Sequence, residues 1–273
     1  MILVTGANGN LGSATLAALR ARGVAATGGS RTPGEGMRHL DFDDHVSLDL
    51  AGVSTLLLIS AGYAEDDQVV GRHAAVLDAA VRDGVRHVVY TSLTTAGDHL
   101  GFALAHRATE HLVRASGLPW TILRNGLYAE LFGGLLMWAD DGIESAFGDG
   151  ALAAVAREDL ADAAAIVAAS PAGRSGHIYD LVGTPITAGQ VADRLGVPHR
   201  AIGLGEYRRR LLDATPGLLA FQLPMLASIA TGIRHGFLDG TAPDLTDLLG
   251  RPARDPLVTA VAAASATRPG ASA

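Results

Sequence analysis

Short apolar runs alternate along the first half of the chain with segments in which apolar residues recur every three or four positions. The runs predict buried strands, and the recurring positions predict amphipathic helices packed against them. In chain order, the predicted strands span 2–4, 24–28, 53–60, 85–93, 120–123 and 177–182, and 38–44 predicts a short third strand that leads into an acidic turn. This alternation predicts an α/β fold, a Rossmann-type doubly wound parallel sheet with a smaller C-terminal substrate lobe.

Three glycines at intervals of three follow the first apolar run. Gly6 allows a sharp turn, Gly9 lets backbone amides approach an anion, and Gly12 lets the next helix pack close to the sheet. The free N–H groups and positive dipole end of that helix predict a pyrophosphate site. The cofactor-binding residues predicted in this turn are Gly6, Asn8, Gly9, Asn10, Leu11 and Gly12.

The end of the second predicted strand carries Ser30 and Arg31, and it lacks the Asp or Glu that usually binds the ribose hydroxyls of NAD. A guanidinium is a natural partner for a phosphate group. We therefore predict that these two residues bind a 2′-phosphate and that the cofactor is NADPH. The alternative interpretation of Arg31 is a solvated loop arginine.

Further site residues are predicted where strands end, because open α/β sheets bind ligands at the carboxyl edge. They are Ile59, Ser60 and Ala61 after the fourth strand, Thr91 and Ser92 in the fifth, and Asn125 and Tyr128 after the sixth. Asn125 and Tyr128 are predicted to place the substrate, since hydride transfer requires near contact. Asp41 and Phe42 are predicted to flank the adenine, and a helix N-cap is an equal interpretation for Asp43 or Asp44.

Four motifs together resemble those of the NmrA-like atypical short-chain dehydrogenases, and most of all the bacterial type 2 NAD(P)H:quinone oxidoreductases. They are Thr5-Gly6 with the glycine turn, Thr91-Ser-Leu93, Leu123-Arg-Asn-Gly-Leu-Tyr128 and Arg157-Glu-Asp-Leu-Ala-Asp-Ala-Ala. The resemblance covers nearly the whole chain. It implies a Rossmann fold, an NAD(P)H cofactor and direct hydride transfer to a quinone.

The resemblance also bears on the proton donor. Typical short-chain dehydrogenases pair a Tyr donor with a Lys four residues later, and these positions fall here on Phe102 and His106. The quinone reductases that the chain resembles also lack the pair. Two roles are therefore open for His106: it binds the nicotinamide ribose, or it donates a proton as an imidazole that titrates near neutrality.

Composition excludes several classes of function. The net charge of −7 argues against nonspecific nucleic-acid binding, which needs a basic surface. The chain has no cysteine, and all 21 basic residues are arginine, so thiolate metal sites and lysine chemistry are excluded. Because the first predicted strand begins at residue 2, we expect no signal peptide and a cytoplasmic location.

The second half of the chain is predicted to supply the substrate side. Residues 1–126 with 151–170 are assigned to the dinucleotide-binding core, 127–150 with 171–258 to the substrate lobe, and 259–273 to a loose tail. The apolar stretch 217–233 is too short and interrupted to span a membrane. It is interpreted either as a helical lid over a small lipophilic or aromatic substrate or as core packing.

The hypothesis that these features favour is an NADPH-dependent reductase of a quinone or related conjugated carbonyl. The alternatives are a non-catalytic NADP sensor and a tailoring ketoreductase of polyaromatic natural products. His106 and Glu110 have the spacing of helical metal ligands, but no third ligand is near in sequence, so we interpret them as a helix-surface pair and predict no metal site. A homodimer is a further possible assembly of this chain.

Overall fold

The computed structural model describes residues 1–60 and 64–270, and a sheet of seven parallel strands lies at its centre. The described residues form twelve strands in all, seven of them in this sheet. They are β1 (Ile2–Val4), β2 (Ala26–Ser30), β3 (Arg38–His39), β4 (Thr55–Ile59), β5 (His87–Leu93), β6 (Trp120–Asn125), β7 (Met137–Ala139), β8 (Gly142–Ser145), β9 (Ala151–Ala154), β10 (His177–Leu181), β11 (Thr184–Thr187) and β12 (His199–Ala201). The order in the central sheet is β10-β6-β5-β4-β1-β2-β3.

Helices cover both faces of this sheet. The helices of the described residues are α1 (Asn10–Ala21), α2 (Asp66–Arg82), α3 (Ala103–Ala115), α4 (Ala129–Gly134), α5 (Arg157–Ala169), α6 (Ala188–Leu195), α7 (Leu204–Ala214), α8 (Gln222–Arg234), α9 (Asp244–Leu249) and α10 (Pro256–Ala266). On one face α1 packs against α5, and on the other α2 packs against α3. The predicted doubly wound fold is therefore confirmed.

Strand β4 shows why the central strands are almost wholly apolar. Leu56 and Leu58 point to the α2 and α3 side, Leu57 points to the α1 and α5 side, and none of the three is exposed to solvent. A parallel strand covered on both faces has no solvent side on which a polar residue is favoured. The chain reverses its direction across the sheet between β1 and β4, and this switch point is where such sheets bind ligands.

The third strand is short, as predicted, since only Arg38–His39 pairs with β2. The segment beyond it turns away because the Ser47 hydroxyl bonds to the backbone of Asp41 and Asp44. Asp44 caps the following turn by accepting from the Val46 N–H at 3.1 Å. The N-cap interpretation is therefore confirmed for Asp44.

A third apolar cluster lies beyond the carboxyl edge of the sheet. It joins α4, α7, α8 and α10 to a three-stranded sheet, β12-β8-β7, and a two-stranded one, β11-β9. Its largest fully buried side chains are Phe132, Phe147 and Tyr207. No helix in the described residues is long and apolar enough to cross a membrane.

The prediction of a loose tail from residue 259 is wrong as far as residue 266. Helix α10 spans Pro256–Ala266, and it is the partner of α4, with Ala260 and Ala264 fully buried. The two helices approach so closely that a Cβ on Gly133 would clash with the carbonyl oxygen of Ala260. The small side chains of this Ala- and Ser-rich segment are what such close packing requires. Residues 271–273 lie outside the described residues.

This contact predicts a large difference between two neighbouring glycines. Gly133→Ala should destabilise the fold by about 1–3 kcal/mol, because the new methyl group displaces α10. Gly134→Ala meets open space and should be neutral or slightly stabilising, since Ala favours helix over Gly. Thermal or urea unfolding of both variants measures the difference. Equal stability of the two would mean that α10 is not packed as described.

Candidate functional site

The glycine turn between β1 and α1 forms as the sequence predicts. Gly6 adopts a positive φ of 59°, and the Gly9 N–H donates to the Gly6 carbonyl at 2.9 Å. A Cβ on Gly12 would collide with the Gly6 backbone, so glycine is required there for the helix to start this close to the strand. Helix α1 begins at Asn10 with no side-chain cap. Its first N–H groups are therefore available to an anion.

The end of β2 lies beside this turn. The Asn8 amide donates to the Thr32 carbonyl at 2.7 Å, and the Ser30 hydroxyl accepts from the Thr32 N–H at 3.2 Å. These bonds fix the loop that carries Arg31. The Arg31 side chain is exposed and, within the described residues, makes no hydrogen bond or ion pair. The predicted phosphate-binding group is thus placed next to the glycine turn.

Asp41 and Phe42 also lie beyond the edge of the sheet, on the β3 side. Asp41 accepts from the Asp43 N–H at 3.0 Å, and Phe42 packs partly against the cluster under α2. Asp43 forms a bidentate pair with Arg72, with both distances 2.7 Å. This hydrogen-bonded pairing holds the pKa of Asp43 below its usual range. Part of the Phe42 side chain packs against this cluster. Adenine binding by Asp41 and Phe42 stays a prediction.

A cavity of about 370 Å³ opens at the carboxyl ends of β4, β5 and β6. Eight of the residues predicted for the site line it: Leu11, Ile59, Ser60, Thr91, Ser92, His106, Asn125 and Tyr128. The remaining glycine-turn residues, with Ser30, Arg31, Asp41 and Phe42, lie outside this cavity. Ala61, which was also predicted, falls outside the described residues.

His106 enters the cavity from the first turn of α3. Its Nδ1 lies 3.1 Å from the hydroxyl of Tyr90, a fully buried residue of β5. Burial, with a smaller contribution from Arg107, lowers the pKa of His106 to about 4. Of the two roles considered for His106, this lowered pKa disfavours proton donation near neutrality. A neutral imidazole can still donate or accept a hydrogen bond, but it is a poor acid at pH 7.

His73 is a buried core histidine, as its position on the apolar side of α2 indicates. Its Nδ1 lies 2.7 Å from the Thr109 hydroxyl, and its ring meets Tyr90 edge-on at 5.6 Å between centroids. Burial lowers the pKa of His73 to about 3. Burial likewise raises the pKa of Tyr90. Both groups are uncharged at neutral pH, so the buried contacts behind His106 on this side are polar without being ionic.

Glu110 is buried beneath the site rather than on a helix surface, so the interpretation of His106 and Glu110 as a surface pair is wrong. Arg124 binds Glu110 with two bonds, of 2.7 and 2.9 Å, and the Ser92 hydroxyl donates to it at 2.7 Å. Arg107 donates to the same carboxylate at 2.8 Å. Burial opposes the charge of Glu110, but the Arg124 and Ser92 hydrogen bonds outweigh it and lower its pKa.

Asn125 and Tyr128 line the cavity on the β6 side, as predicted. Asn125 is 7% exposed, and its Oδ1 has no hydrogen-bond partner in the described part of the chain. Buried polar atoms are rarely left without a partner, so such an atom at a cavity wall points to a ligand or water. The Tyr128 ring lies under the Arg157 guanidinium, 5.0 Å from ring centroid to Cζ.

The apolar stretch 217–233 supplies both a cavity wall and core packing. Helix α8 and the residue before it place Phe221, Met225, Leu226 and Ile229 along the cavity. Further along α8, Ala230 and Ile233 are buried in the core. The first part of the helix therefore lines the cavity, and its last turn packs in the core.

Sequence reasoning missed the Glu110 cluster and the role of Tyr90. One signal was present for each: Arg124 ends an otherwise apolar strand, and Tyr90 places a hydroxyl inside another. A charge or hydroxyl at a fully buried position needs a partner, so these positions predicted a polar contact without identifying it. No group of three or more His, Asp or Glu side chains suited to a metal ion occurs among the described residues.

Known proteins are similar to this chain over most of its length. A family model described as NAD(P)H-binding matches residues 6–171. The chain is 33% identical to quinone oxidoreductase 2 of Escherichia coli (strain K12), with 92% of this chain and 94% of that protein aligned. The resemblance stated from the motifs is confirmed.

Two solved structures are similar over almost the whole chain. The Citrobacter sp. triphenylmethane reductase complexed with NADP(H) superposes with a TM-score of 0.85 at 29% identity, covering 96% of this chain and 99% of that one. The NADPH-dependent quinone oxidoreductase of Escherichia coli complexed with NADPH gives a TM-score of 0.82 at 30% identity, covering 95% and 98%.

The buried carboxylate predicts a specific acid sensitivity. Because the folded pKa of Glu110 lies below its ordinary value of 4.5, its ionisation stabilises the fold above that pH, and the contribution is lost as pH falls below it. Glu110→Gln should cost about 3 kcal/mol at pH 7, since it leaves Arg124 without its partner. It should also flatten the fall in stability between about pH 5 and 3.

Urea unfolding across this pH range provides the measurement. Glu35→Gln is the control, because Glu35 is exposed and makes no ion pair among the described residues. An acid profile that is unchanged in Glu110→Gln would show that this carboxylate does not carry the linkage.

Proposed function

The chain belongs to the NAD(P)H-binding family and is an oxidoreductase, and from that premise we propose that it passes hydride from NADPH directly to a quinone or a related conjugated carbonyl. The observation that carries the proposal is the cavity at the sheet edge. One side of it is formed by strand ends next to the glycine turn, and the other by the apolar wall from α8. A lipophilic acceptor and a nicotinamide would meet in such a space.

The glycine turn and the β2 loop fit a dinucleotide phosphate. The uncapped start of α1 offers backbone N–H groups to a pyrophosphate, and Gly9 and Gly12 keep side chains out of its approach. Arg31 and Ser30 are assigned to the 2′-phosphate. The similar reductases from Citrobacter sp. and Escherichia coli are described with NADP(H) and NADPH, which supports this choice of cofactor.

NADPH, when bound, supplies the hydride, and the residues of this chain position the acceptor and exclude water. Asn125 has an unpartnered acceptor oxygen for an N–H or O–H of a ligand. Tyr128 and Phe102 line the same cavity with aromatic rings that suit a planar acceptor. His106 is assigned a neutral hydrogen bond to the ligand, since its pKa of about 4 keeps it uncharged at pH 7.

The absence of a strong acid among the residues proposed to position the acceptor favours a quinone over an ordinary ketone. Hydride addition to a ketone forms a basic alkoxide, for which a positioned donor contributes about 10²–10⁴-fold. A reduced quinone anion is aromatic and much less basic, so water can protonate it. Phe102 stands where typical short-chain dehydrogenases have the Tyr donor, and His106 is neutral, which is consistent with the quinone.

Quinone-dependent oxidation of NADPH, followed at saturating cofactor, tests the proposal. His106→Ala should lower turnover less than about tenfold and change the pH profile little between about pH 6 and 8, because the pKa of His106, about 4, lies below that range. A loss above about a hundredfold, with disappearance of an ionisation near neutrality, would identify His106 as a general acid instead. NADPH binding with no oxidation by any acceptor would favour the sensor.

The cofactor assignment is tested through Arg31. A charged hydrogen bond contributes about 1.5–3 kcal/mol, so Arg31→Ala should weaken NADPH binding roughly 10- to 100-fold. NADH lacks the 2′-phosphate and should bind the variant and the parent protein equally. Calorimetric titration with both dinucleotides gives the comparison. Equal losses for the two would show that Arg31 does not bind the 2′-phosphate.

A further inference from the structure

The charged residues that line the described part of the cavity are all acidic. Its described lining residues include the acidic Glu65 and Asp66, and no arginine is among them. Glu65 is the N-cap residue of α2 and is exposed, and Asp66 is the first residue of the helix and is partly exposed. Within the described residues neither carboxylate has a hydrogen bond or an ion pair.

The neighbouring cations do not cancel these two charges. Arg107 is held by Asp98 and Glu110, and Arg124 is held by Glu110. Arg157, which lies over the Tyr128 ring, faces the Glu130 carboxylate at 3.9 Å. His106 is neutral at pH 7 because burial lowers its pKa. The two carboxylates are therefore the only charged side chains among the described lining residues.

Helix stabilisation alone does not explain why Glu65 and Asp66 line the cavity. Acidic residues in the first turn stabilise a helix through its dipole, and Asp67 in the same turn does so without lining the cavity. The cavity also shows an independent sign of a ligand. Asn125 is more than nine-tenths buried, lines the same space and has an unpartnered Oδ1.

We propose that Glu65 and Asp66 set the charge selectivity of this cavity, so that uncharged or cationic aromatic acceptors are used in preference to anionic ones. The proposal rests on the proposed function, because it concerns the molecule that would receive the hydride there. An anionic group near two uncompensated carboxylates is repelled, and a cationic group is attracted. The effect is moderate since both carboxylates contact solvent, and it weakens as salt is added.

Matched acceptors test this directly. A 1,4-naphthoquinone core is used with a sulfonate, a methyl or a trimethylammonium substituent at the same position, and kcat/KM is measured at low ionic strength and saturating NADPH. The parent protein should prefer the cationic acceptor to the anionic one by about tenfold or more. The double variant Glu65→Gln with Asp66→Asn should reduce that ratio about fivefold, the size expected for two partly screened charges.

The chain offers a closely matched control. The double variant Asp67→Asn with Asp78→Asn removes two exposed carboxylates from the same helix, and neither lines the cavity. This control should change the ratio less than twofold, and about 0.5 M salt should reduce the ratio in the parent protein. Equal effects of the two double variants, or no preference in the parent protein, would overturn the proposal.

A binding measurement separates this proposal from the proposed function. Fluorescence titration of the NADP⁺-loaded protein with the same three quinones reports their affinities without turnover. If no quinone is reduced but the affinities follow charge and respond only to the Glu65 and Asp66 changes, the proposed function fails and the charge selectivity stands. If quinones are reduced with no dependence on charge, the reverse holds.

Discussion

The geometry of the site depends on one buried carboxylate, that of Glu110. It accepts hydrogen bonds from Ser92 at the end of β5, from Arg124 in β6 and from Arg107 of its own helix α3. Arg107 continues the contact by donating to the carbonyls of Leu93 and Thr94. Three elements whose ends form the cavity are thus fastened at one point. A charge buried this deeply is tolerable only because every partner is in place.

The same burial decides what chemistry the site can support. Burial disfavours the charged forms of Tyr90, His73 and His106. At pH 7 these three side chains are therefore neutral hydrogen-bonding groups. Under the proposed function, this suits an acceptor whose reduced form needs little help to gain a proton. Under the same proposals, specificity comes from the charge at the start of α2 and from the shape of the opposite wall, which α8 forms.

That opposite wall is built by parts of the chain distant in sequence. The Gly101 N–H donates to the Ser228 hydroxyl at 3.1 Å, a contact between residues 127 positions apart. It joins the loop before α3 to α8, whose apolar face closes the cavity. Helix α10 packs on α4 by close backbone approach at Gly133. This wall of the cavity therefore depends on the C-terminal part of the chain, including most of a helix that lies in the segment predicted to be a loose tail.

Apolar periodicity and positions after strands are local signals, so the sequence predicts the central sheet, the glycine turn and eight of the residues that line the cavity. It also placed His106, Asn125 and Tyr128 at one edge. Three features could be found only from the tertiary structure: the lowered pKa of His106, the hydrogen-bond partners of Glu110 and the packing of α10 on α4. Each depends on burial or on contacts between distant segments. Spacing along α3 gave His106 and Glu110 one helix face, but only packing against β5 and β6 buried that face and changed their chemistry.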